Sequence, residues 1–276
     1  MSATRCKSIF SILVMLLFFL VLFSEAQLSQ DILDNRAKFE ALLKKGEIVK
    51  HVDIGEGINN PKRLFLKLGN VEGSGAWKNV DGVVQGYKDK WRYEVAAYIF
   101  DRMLGLDMVP PTVEKRFRTS KGSLQLWVAL EMSELDRIKN EIPIPDDKQE
   151  HYDNILYIAR AFDSLIGNID RTQQNIRWTK DWRLILIDHS RAFRTKRIYT
   201  DQLVYGRHGL RKTMRFERLP KILVQRIKGL DSDKIKAAVG DYLGYEEIQA
   251  VLKRKKLLLK EIDELVKERG EEHVLY

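Results

Sequence analysis

The stretch that decides the fold reads LIGNIDRTQQN from Leu165 to Asn175, and after a short polar segment come the apolar run LILI and then Asp188. Asp170 and Asn175 lie five positions apart, and Asp188 follows a run typical of a buried strand. In phosphoryl transfer, one carboxylate accepts a hydroxyl proton while an amide and a second carboxylate hold metal ions. The spacing therefore predicts Asp170 as catalytic base and Asn175 and Asp188 as metal ligands. In isolation, the same pattern is typical of an ordinary turn between a helix and a strand.

A lysine and a glutamate upstream extend this pattern. Lys78 ends a predicted short strand over 76–78, and Glu94 lies near the start of a predicted helix over 91–106, whose apolar residues recur at helical spacing. Kinases use such an ion pair to position nucleotide phosphates. Taken singly, Lys78 is an exposed strand-end lysine and Glu94 a helix N-terminal carboxylate favoured by the helix dipole. Together with the downstream residues, they predict a site for ATP with Mg or Mn.

Four short segments resemble an atypical kinase group. RYEVAAY from Arg92, VPPTV from Val109, GNIDR from Gly167 and IDHSRAF from Ile187 are similar to HipA-like bacterial kinases and to secretory-pathway kinases of the Golgi casein kinase type. The resemblance covers approximately residues 48–193 and is weaker towards the end of the chain.

The resemblance implies a role for each candidate residue. Lys78 would contact the α- and β-phosphates, Glu94 would orient it, and Asp170 would be the catalytic base. Asn175 and Asp188 would hold the metals. The chain departs from the family at Thr172, where His is usual, and at residues 188–190, where Asp-Phe-Gly is usual.

The distribution of strand and helix signals predicts an α+β, two-lobed, protein-kinase-like fold. Strand patterns dominate from about residue 48 to 130 around the helix that carries Glu94, and helical patterns dominate after residue 152. This predicts a small β-rich N-lobe with one key helix over about 48–132, and a mainly helical C-lobe over about 150–276. A length of 276 residues with 32% charged residues fits one such unit, residues 27–276.

Two further nucleotide contacts are predicted from their order along the chain. Gly55 and Gly57 lie between two predicted strands, where glycines let a lid approach phosphates; an ordinary hairpin turn explains them equally well. Glu131 and Met132 follow a predicted strand over 123–130, where a kinase offers backbone hydrogen bonds to adenine.

The first residues predict a targeting element. Arg5 and Lys7 precede the apolar run 9–23, and residues 24–26 fit a cleavage site, so residues 1–26 are a signal peptide or a membrane anchor. The run is shorter than the roughly 20 residues that span a bilayer, which favours the signal peptide. Either predicts an exported protein, secreted or in a bacterial envelope. The single cysteine, Cys6, lies in this element, so the predicted exported domain contains no disulfide.

A basic segment over 191–215 dominates the net charge of +9. It predicts an acidic protein or an anionic lipid as partner, and an exposed loop without a partner is the alternative. Nucleic acid is not expected, because no recognised reading module is present. The basic residues proposed to face the partner are Arg194, Lys196, Arg197, Arg207 and Arg211.

The function predicted from these residues is ATP- and Mg-dependent transfer of a phosphoryl group to a hydroxyl acceptor, with protein Ser/Thr as the favoured acceptor. An inositol lipid or a sugar stays open as acceptor. A pseudokinase, meaning a nucleotide-binding or protein-binding scaffold without turnover, is the alternative from another class.

Overall fold

A five-stranded antiparallel sheet forms most of the N-terminal lobe in the computed structural model, which describes residues 28–55, 60–84 and 86–276. Its strand order is β1-β2-β3-β7-β6. The strands are β1 (Glu47–Asp53), β2 (Lys62–Leu68), β3 (Val71–Lys78), β6 (Thr112–Phe117) and β7 (Ser120–Leu126). Two helices precede it, α1 (Gln30–Asp34) and α2 (Arg36–Lys45).

The two faces of this sheet have different roles. Trp77 packs into a core with Leu42 and Leu43 of α2 and with Leu64 and Leu124 of the sheet. Because side chains alternate along a strand, the neighbouring Lys78 points to the opposite face. The sequence of β3 thus fixes which face of the sheet carries the lysine.

A hairpin lies between strand β3, which carries Lys78, and the helix that carries Glu94. Strands β4 (Asp81–Val84) and β5 (Tyr87–Lys90) form a two-stranded antiparallel sheet, and helix α3 follows directly as Trp91–Leu104. The helix ends at Gly105, whose φ of 63° is left-handed. Apart from its last two residues, the predicted helix over 91–106 is confirmed.

The C-terminal lobe is mainly helical. A short sheet, ordered β10-β9-β8, lies beside the connection between the lobes. Its strands are β8 (Met132–Ser133), β9 (Ile176–Trp178) and β10 (Leu184–Leu186). The helices are α4 (Glu134–Lys139), α5 (Gln149–Ile166), α6 (Lys221–Lys228), α7 (Ser232–Val239), α8 (Tyr245–Arg269) and α9 (Glu271–Val274).

The larger core joins α3 to this lobe. Phe100 of α3, Phe162 of α5 and Leu258 of α8 belong to one buried cluster. Helix α3, which carries Glu94, therefore packs against the same hydrophobic core as helix α5, which precedes the loop of Asp170. The predicted α+β, two-lobed fold is confirmed. The strand predicted over 123–130 was misplaced, since β7 ends at Leu126 and residues 127–131 connect the lobes.

Among the helices of residues 28–55, 60–84 and 86–276, none is both long and apolar enough to span a membrane. The predicted targeting element over 1–26 lies outside the described residues.

Candidate functional site

Lys78 lies between two carboxylates in the cleft between the lobes. Its Nζ is 2.8 Å from Oε1 of Glu94 and 2.9 Å from Oδ1 of Asp188. Burial opposes the charge of Lys78, but the carboxylates of Asp188 and Glu94 outweigh burial and raise the pKa of the lysine. Burial likewise opposes the charge of Glu94, but the Lys78 ammonium and a hydrogen bond from His189 lower the pKa of that carboxyl. Lys78 and Glu94 are therefore both charged at neutral pH, and the fold brings them together with Asp188.

The backbone at Asp188 takes an uncommon conformation. Its φ is 60°, in the left-handed region that non-glycine residues rarely adopt. The turn directs the backbone N–H of His189 to Oε2 of Glu94, at 2.9 Å. The hydroxyl of Ser190 donates to Oδ1 of Asp188, at 3.1 Å. The strained residue is thus held on both sides, as is common where a side chain must be aimed at a ligand.

A buried ion pair shapes the loop that carries Asp170. Arg171 donates through Nε to Oδ2 of Asp163, at 2.9 Å, and through Nη2 to Oδ1, at 3.0 Å. Asn168, which is fully buried, donates to the same Oδ1 at 2.9 Å. Since Asp163 belongs to α5, the loop is fixed to the end of that helix by charge-assisted hydrogen bonds.

Arg171 also joins the loop to the segment before Asp188. Its Nη1 donates to the carbonyl oxygens of Asn175, at 3.0 Å, and Ile187, at 2.7 Å. Its Nη2 lies 2.8 Å from Nε2 of His189. A guanidinium only donates, so Nε2 accepts and the ring proton is on Nδ1, which lies 3.7 Å from Oε2 of Glu94. Arg171 therefore contacts the loop, the segment before Asp188 and the ring of His189. Burial and the charge of Arg171 lower the pKa of His189, so its imidazole is neutral.

Asp170 itself reaches solvent, with 41% of its side chain exposed. Its Oδ2 accepts from Nη1 of Arg191 at 3.1 Å, and its backbone N–H donates to Oδ1 of Asn168 at 3.2 Å. The loop begins at Gly167, whose φ is 65° and where an added Cβ would lie 2.6 Å from Cζ of Arg254. The local sequence thus turns the chain sharply out of α5 and presents an accessible carboxylate.

The donor set at Asn175 and Asp188 fits a divalent cation that also binds phosphate. Ile187 donates its backbone N–H to the carbonyl of Asn175, at 3.2 Å, so the two predicted ligands lie on adjacent segments. Within the described ranges, no group of three or more His, Cys, Asp or Glu side chains is arranged to hold a metal alone. One carboxylate and one amide suit Mg or Mn, which take their remaining oxygen ligands from phosphate and water.

An arginine and a tryptophan lie near Lys78 on the same side of the N-lobe sheet. Arg63 is paired with Ala76 in the sheet, so both lie on the face of Lys78. Cζ of Arg63 lies 4.2 Å from the ring centre of Trp127 and 5.0 Å from that of Phe65. Trp127 is the first residue after β7 and is 42% exposed. A planar cation and an exposed indole therefore line this end of the cleft.

The residues predicted for the lid and for the base contacts lie in two different parts of the chain. Gly55 lies at the β1–β2 turn with a φ of 75°, and Gly57 lies outside the described residues. Glu131 is exposed, and its backbone N–H donates to the carbonyl of Trp178 at 2.8 Å. Met132 belongs to β8, where it pairs with Trp178. The N–H of Glu131 is thus already used within the C-lobe.

Much of the basic segment is hydrogen-bonded to other parts of the chain. Arg194 is buried and donates to the carbonyl of Arg191. Arg207 forms a two-pronged pair with Glu268. Arg211 donates to the carbonyls of Ile169 and Arg171. Lys196 and Arg197 are exposed, the latter with 92% of its side chain accessible.

Several residues of the site could not be identified from sequence patterns. Their partners lie far along the chain, and arginine and aspartate are common on any surface. The GNIDR segment was identified for Asp170, and the buried position of its Arg171 follows from packing alone. The residues missed are Asp163, Asn168, Arg171, Arg191 and Arg254.

Comparison of the sequence with protein-family models and with curated proteins finds no match. Solved structures, by contrast, match most of the chain. The structure of hydra Fam20 with sugar has a TM-score of 0.64 and 15% identity, covering 91% of this chain and 95% of that chain. The Golgi casein kinase with Mn/ADP bound has a TM-score of 0.60 and 14% identity, covering 91% and 80%. A second structure of the Golgi casein kinase has a TM-score of 0.59 and 14% identity, covering 91% and 79%.

At this level of identity the likeness concerns the fold. It confirms the Golgi casein kinase part of the resemblance seen in the sequence, while the HipA-like part stays a prediction. The chain has the atypical kinase-like fold found in the Fam20 and Golgi casein kinase structures.

Proposed function

We propose that this protein is a phosphotransferase that uses ATP with Mg or Mn to phosphorylate a hydroxyl group. The observation that carries the proposal is the meeting of Lys78, Glu94 and Asp188, with separations of 2.8 and 2.9 Å. A charged lysine held by two carboxylates is pre-organised for nucleotide phosphates, since its ammonium need not be reoriented when they arrive. The Mn/ADP bound to the Golgi casein kinase supports a nucleotide and a divalent metal as ligands of this fold.

In the proposed mechanism, Lys78 binds the nucleotide phosphates and Glu94 keeps its ammonium in place. Asn175 and Asp188 hold the divalent metal, which neutralises charge on the transferred group when bound. Asp170 accepts the proton of the acceptor hydroxyl, and its exposure of 41% leaves room for that hydroxyl to approach. The buried Arg171 keeps these two segments at a fixed separation.

The nucleotide base is proposed to lie along Ala76 towards Arg63 and Trp127. Ala76 is two residues from Lys78, about 7 Å along the strand, on the same face. Arg63 and Trp127 lie beyond it and offer flat surfaces on which a purine stacks. The base is thus expected to contact the connection between the lobes before Glu131.

A protein hydroxyl is the acceptor we favour, because the name of the Golgi casein kinase denotes a protein substrate. A sugar hydroxyl is the second candidate, since the hydra Fam20 structure contains a sugar. A scaffold without turnover is the less favoured function, because the contacts of Lys78 with Glu94 and Asp188 support nucleotide binding in a form suited to transfer.

The test is transfer of labelled phosphate from ATP, with Mg or Mn, to a casein and to free sugars. We expect transfer by the wild-type protein and a loss of about 10²-fold or more in Asp170→Asn with nucleotide affinity kept. Asp263→Asn, an exposed carboxylate on α8, is the matched control. Nucleotide binding without transfer to any acceptor would favour the scaffold instead.

A further inference from the structure

Arg191 joins two carboxylates that belong to different lobes. Its Nη1 lies 3.1 Å from Oδ2 of Asp170, and its Nε lies 3.2 Å from Oδ2 of Asp89 in strand β5. The arginine side chain is 13% exposed and that of Asp89 only 2% exposed. The contact with Asp170 is therefore made by a group that is itself fixed, unlike an exposed salt bridge between mobile side chains.

The hairpin holds the arginine through main chain and side chain together. The backbone N–H of Lys90 donates to the carbonyl of Ser190 at 2.9 Å. The ring of Tyr87 lies 5.4 Å from Cζ of Arg191, and Nε of Arg194 donates to the carbonyl of Arg191 at 2.8 Å. The guanidinium thus has little freedom to leave Asp170 while the hairpin is docked.

The cation that contacts Asp170 does not come from the loop that carries it. Over residues 168–175 the only basic residue is Arg171. Arg171 is buried and turned towards Asp163, away from solvent. The positive group that contacts Asp170 comes from a segment 21 positions later in the chain.

We propose that Arg191 is the positioning residue of Asp170, and that it couples the placement of this carboxylate to the β4–β5 hairpin through Asp89. The inference rests on the proposed function, in which Asp170 is the catalytic base. Arginine suits the task because its planar fork donates along two edges, whereas lysine offers one point charge. A small displacement of a base from its acceptor costs about 10²-fold in rate.

The test compares Arg191→Met and Arg191→Lys in the same transfer assay. We expect Arg191→Met to lower kcat by about 10²-fold with little change in KM for ATP, and Arg191→Lys to recover part of the loss. Asp89→Asn should lower kcat less than Arg191→Met, because Arg191 still contacts Asp170. Arg269→Met, an exposed arginine on α8, is the matched control and should behave as wild type.

A double-mutant cycle separates positioning from a general structural effect. If Arg191 acts through Asp170, adding Arg191→Met to Asp170→Asn lowers kcat no further, because residues that act as a unit are not additive. Equal losses in both backgrounds would overturn the proposal. A rise in turnover in Arg191→Met would also overturn it, since Arg191 would then restrain the base.

The same four proteins are compared by urea unfolding, which needs no turnover. Coupling between Arg191 and Asp170 in the free energy of unfolding supports the contact, and additive effects contradict it. A wild-type protein that binds ATP without any transfer contradicts the proposed function, and with it the positioning role of Arg191. The unfolding cycle then still decides whether the contact exists.

Discussion

Lys78 and Glu94 form an ion pair of 2.8 Å across 16 sequence positions, with only 3% of the glutamate side chain exposed. Glu94→Gln keeps the shape and removes the charge. We expect it to lower the free energy of unfolding by about 1.5–3 kcal/mol, since hydrogen bonds to buried charges are worth that much. Urea unfolding measures it. Glu72→Gln, whose partner Lys67 is exposed, should leave the free energy of unfolding nearly unchanged. Equal losses in the two variants would show that the buried pair of Glu94 stabilises the fold no more than an exposed pair does.

Asp188→Ala is expected to abolish stabilisation by nucleotide and metal while the fold persists, because Lys78 keeps Glu94 as partner. Wild-type protein with ATP and Mn at roughly 100 times the dissociation constant should gain about 2.7 kcal/mol. Thermal-shift curves with and without ligand measure this gain, and Asp263→Ala serves as control. The same gain in Asp188→Ala would remove Asp188 from the binding site.

Arg171→Met should destabilise the protein strongly, because it removes the guanidinium that pairs with the buried side chain of Asp163. The expected loss is about 3–5 kcal/mol in the free energy of unfolding. The double variant Arg171→Met with Asp163→Leu should be more stable than Arg171→Met alone, since no unpaired charge remains. A double variant as unstable as the sum of the single losses would show that the network, rather than the lone charge, sets the cost.

Glu134 predicts a specific dependence of stability on pH. The side chain accepts from Arg137, Tyr152 and Trp178. Burial opposes its charge, but these hydrogen bonds outweigh burial and lower the pKa of the carboxyl. A lowered folded pKa adds stability above the unfolded value of about 4.3, and this stability is lost as pH falls through the folded pKa.

The matching variant is Glu134→Gln. Its deficit in unfolding free energy should be constant between about pH 6 and 8 and should shrink below about pH 4.3, where Glu134 of the unfolded wild-type chain becomes protonated before that of the folded protein. Urea unfolding at a series of pH values measures the difference. A deficit that does not change at low pH would show that the charge of Glu134 is unimportant.

The exposed part of the basic segment is predicted to act on the acceptor. Lys196→Glu with Arg197→Glu should raise KM for an acidic acceptor and flatten its salt dependence, while nucleotide affinity stays unchanged. Steady-state kinetics at several salt concentrations measure both. Lys253→Glu with Lys256→Glu, exposed on α8, are the matched control. Unchanged acceptor kinetics would make the segment an ordinary exposed loop.

Sequence patterns predicted the parts of the site that depend on local spacing. The short strand that ends at Lys78 and the helix that begins at Trp91 are each encoded within a few residues. These elements lie as expected, and the roles assigned to Asp170, Asn175 and Asp188 stay predictions.

The remaining parts depend on contacts between distant segments, which periodicity does not encode. Asp89 and Arg191 lie 102 positions apart, and Trp178 and Glu134 lie 44 apart. The basic segment over 191–215 also shows what sequence composition does not reveal. Its composition predicted a surface for a partner, whereas Arg194, Arg207 and Arg211 are bonded within the protein. Charge counts along a sequence do not distinguish exposed arginines from those that hold loops together.

Arg254 gives the site a particular order of assembly. The residue is fully buried in α8 and donates to the carbonyls of Leu165, Arg194 and Tyr199, which lie 89, 60 and 55 positions earlier. The end of α5 and the segment after Asp188 therefore gain this support only once the ribosome has released residue 254. During synthesis, the N-terminal sheet has all of its strands long before the loops of the candidate site have their anchor. A nascent chain stalled before α8 would thus carry every strand of the N-terminal sheet but would lack this anchor of the candidate site.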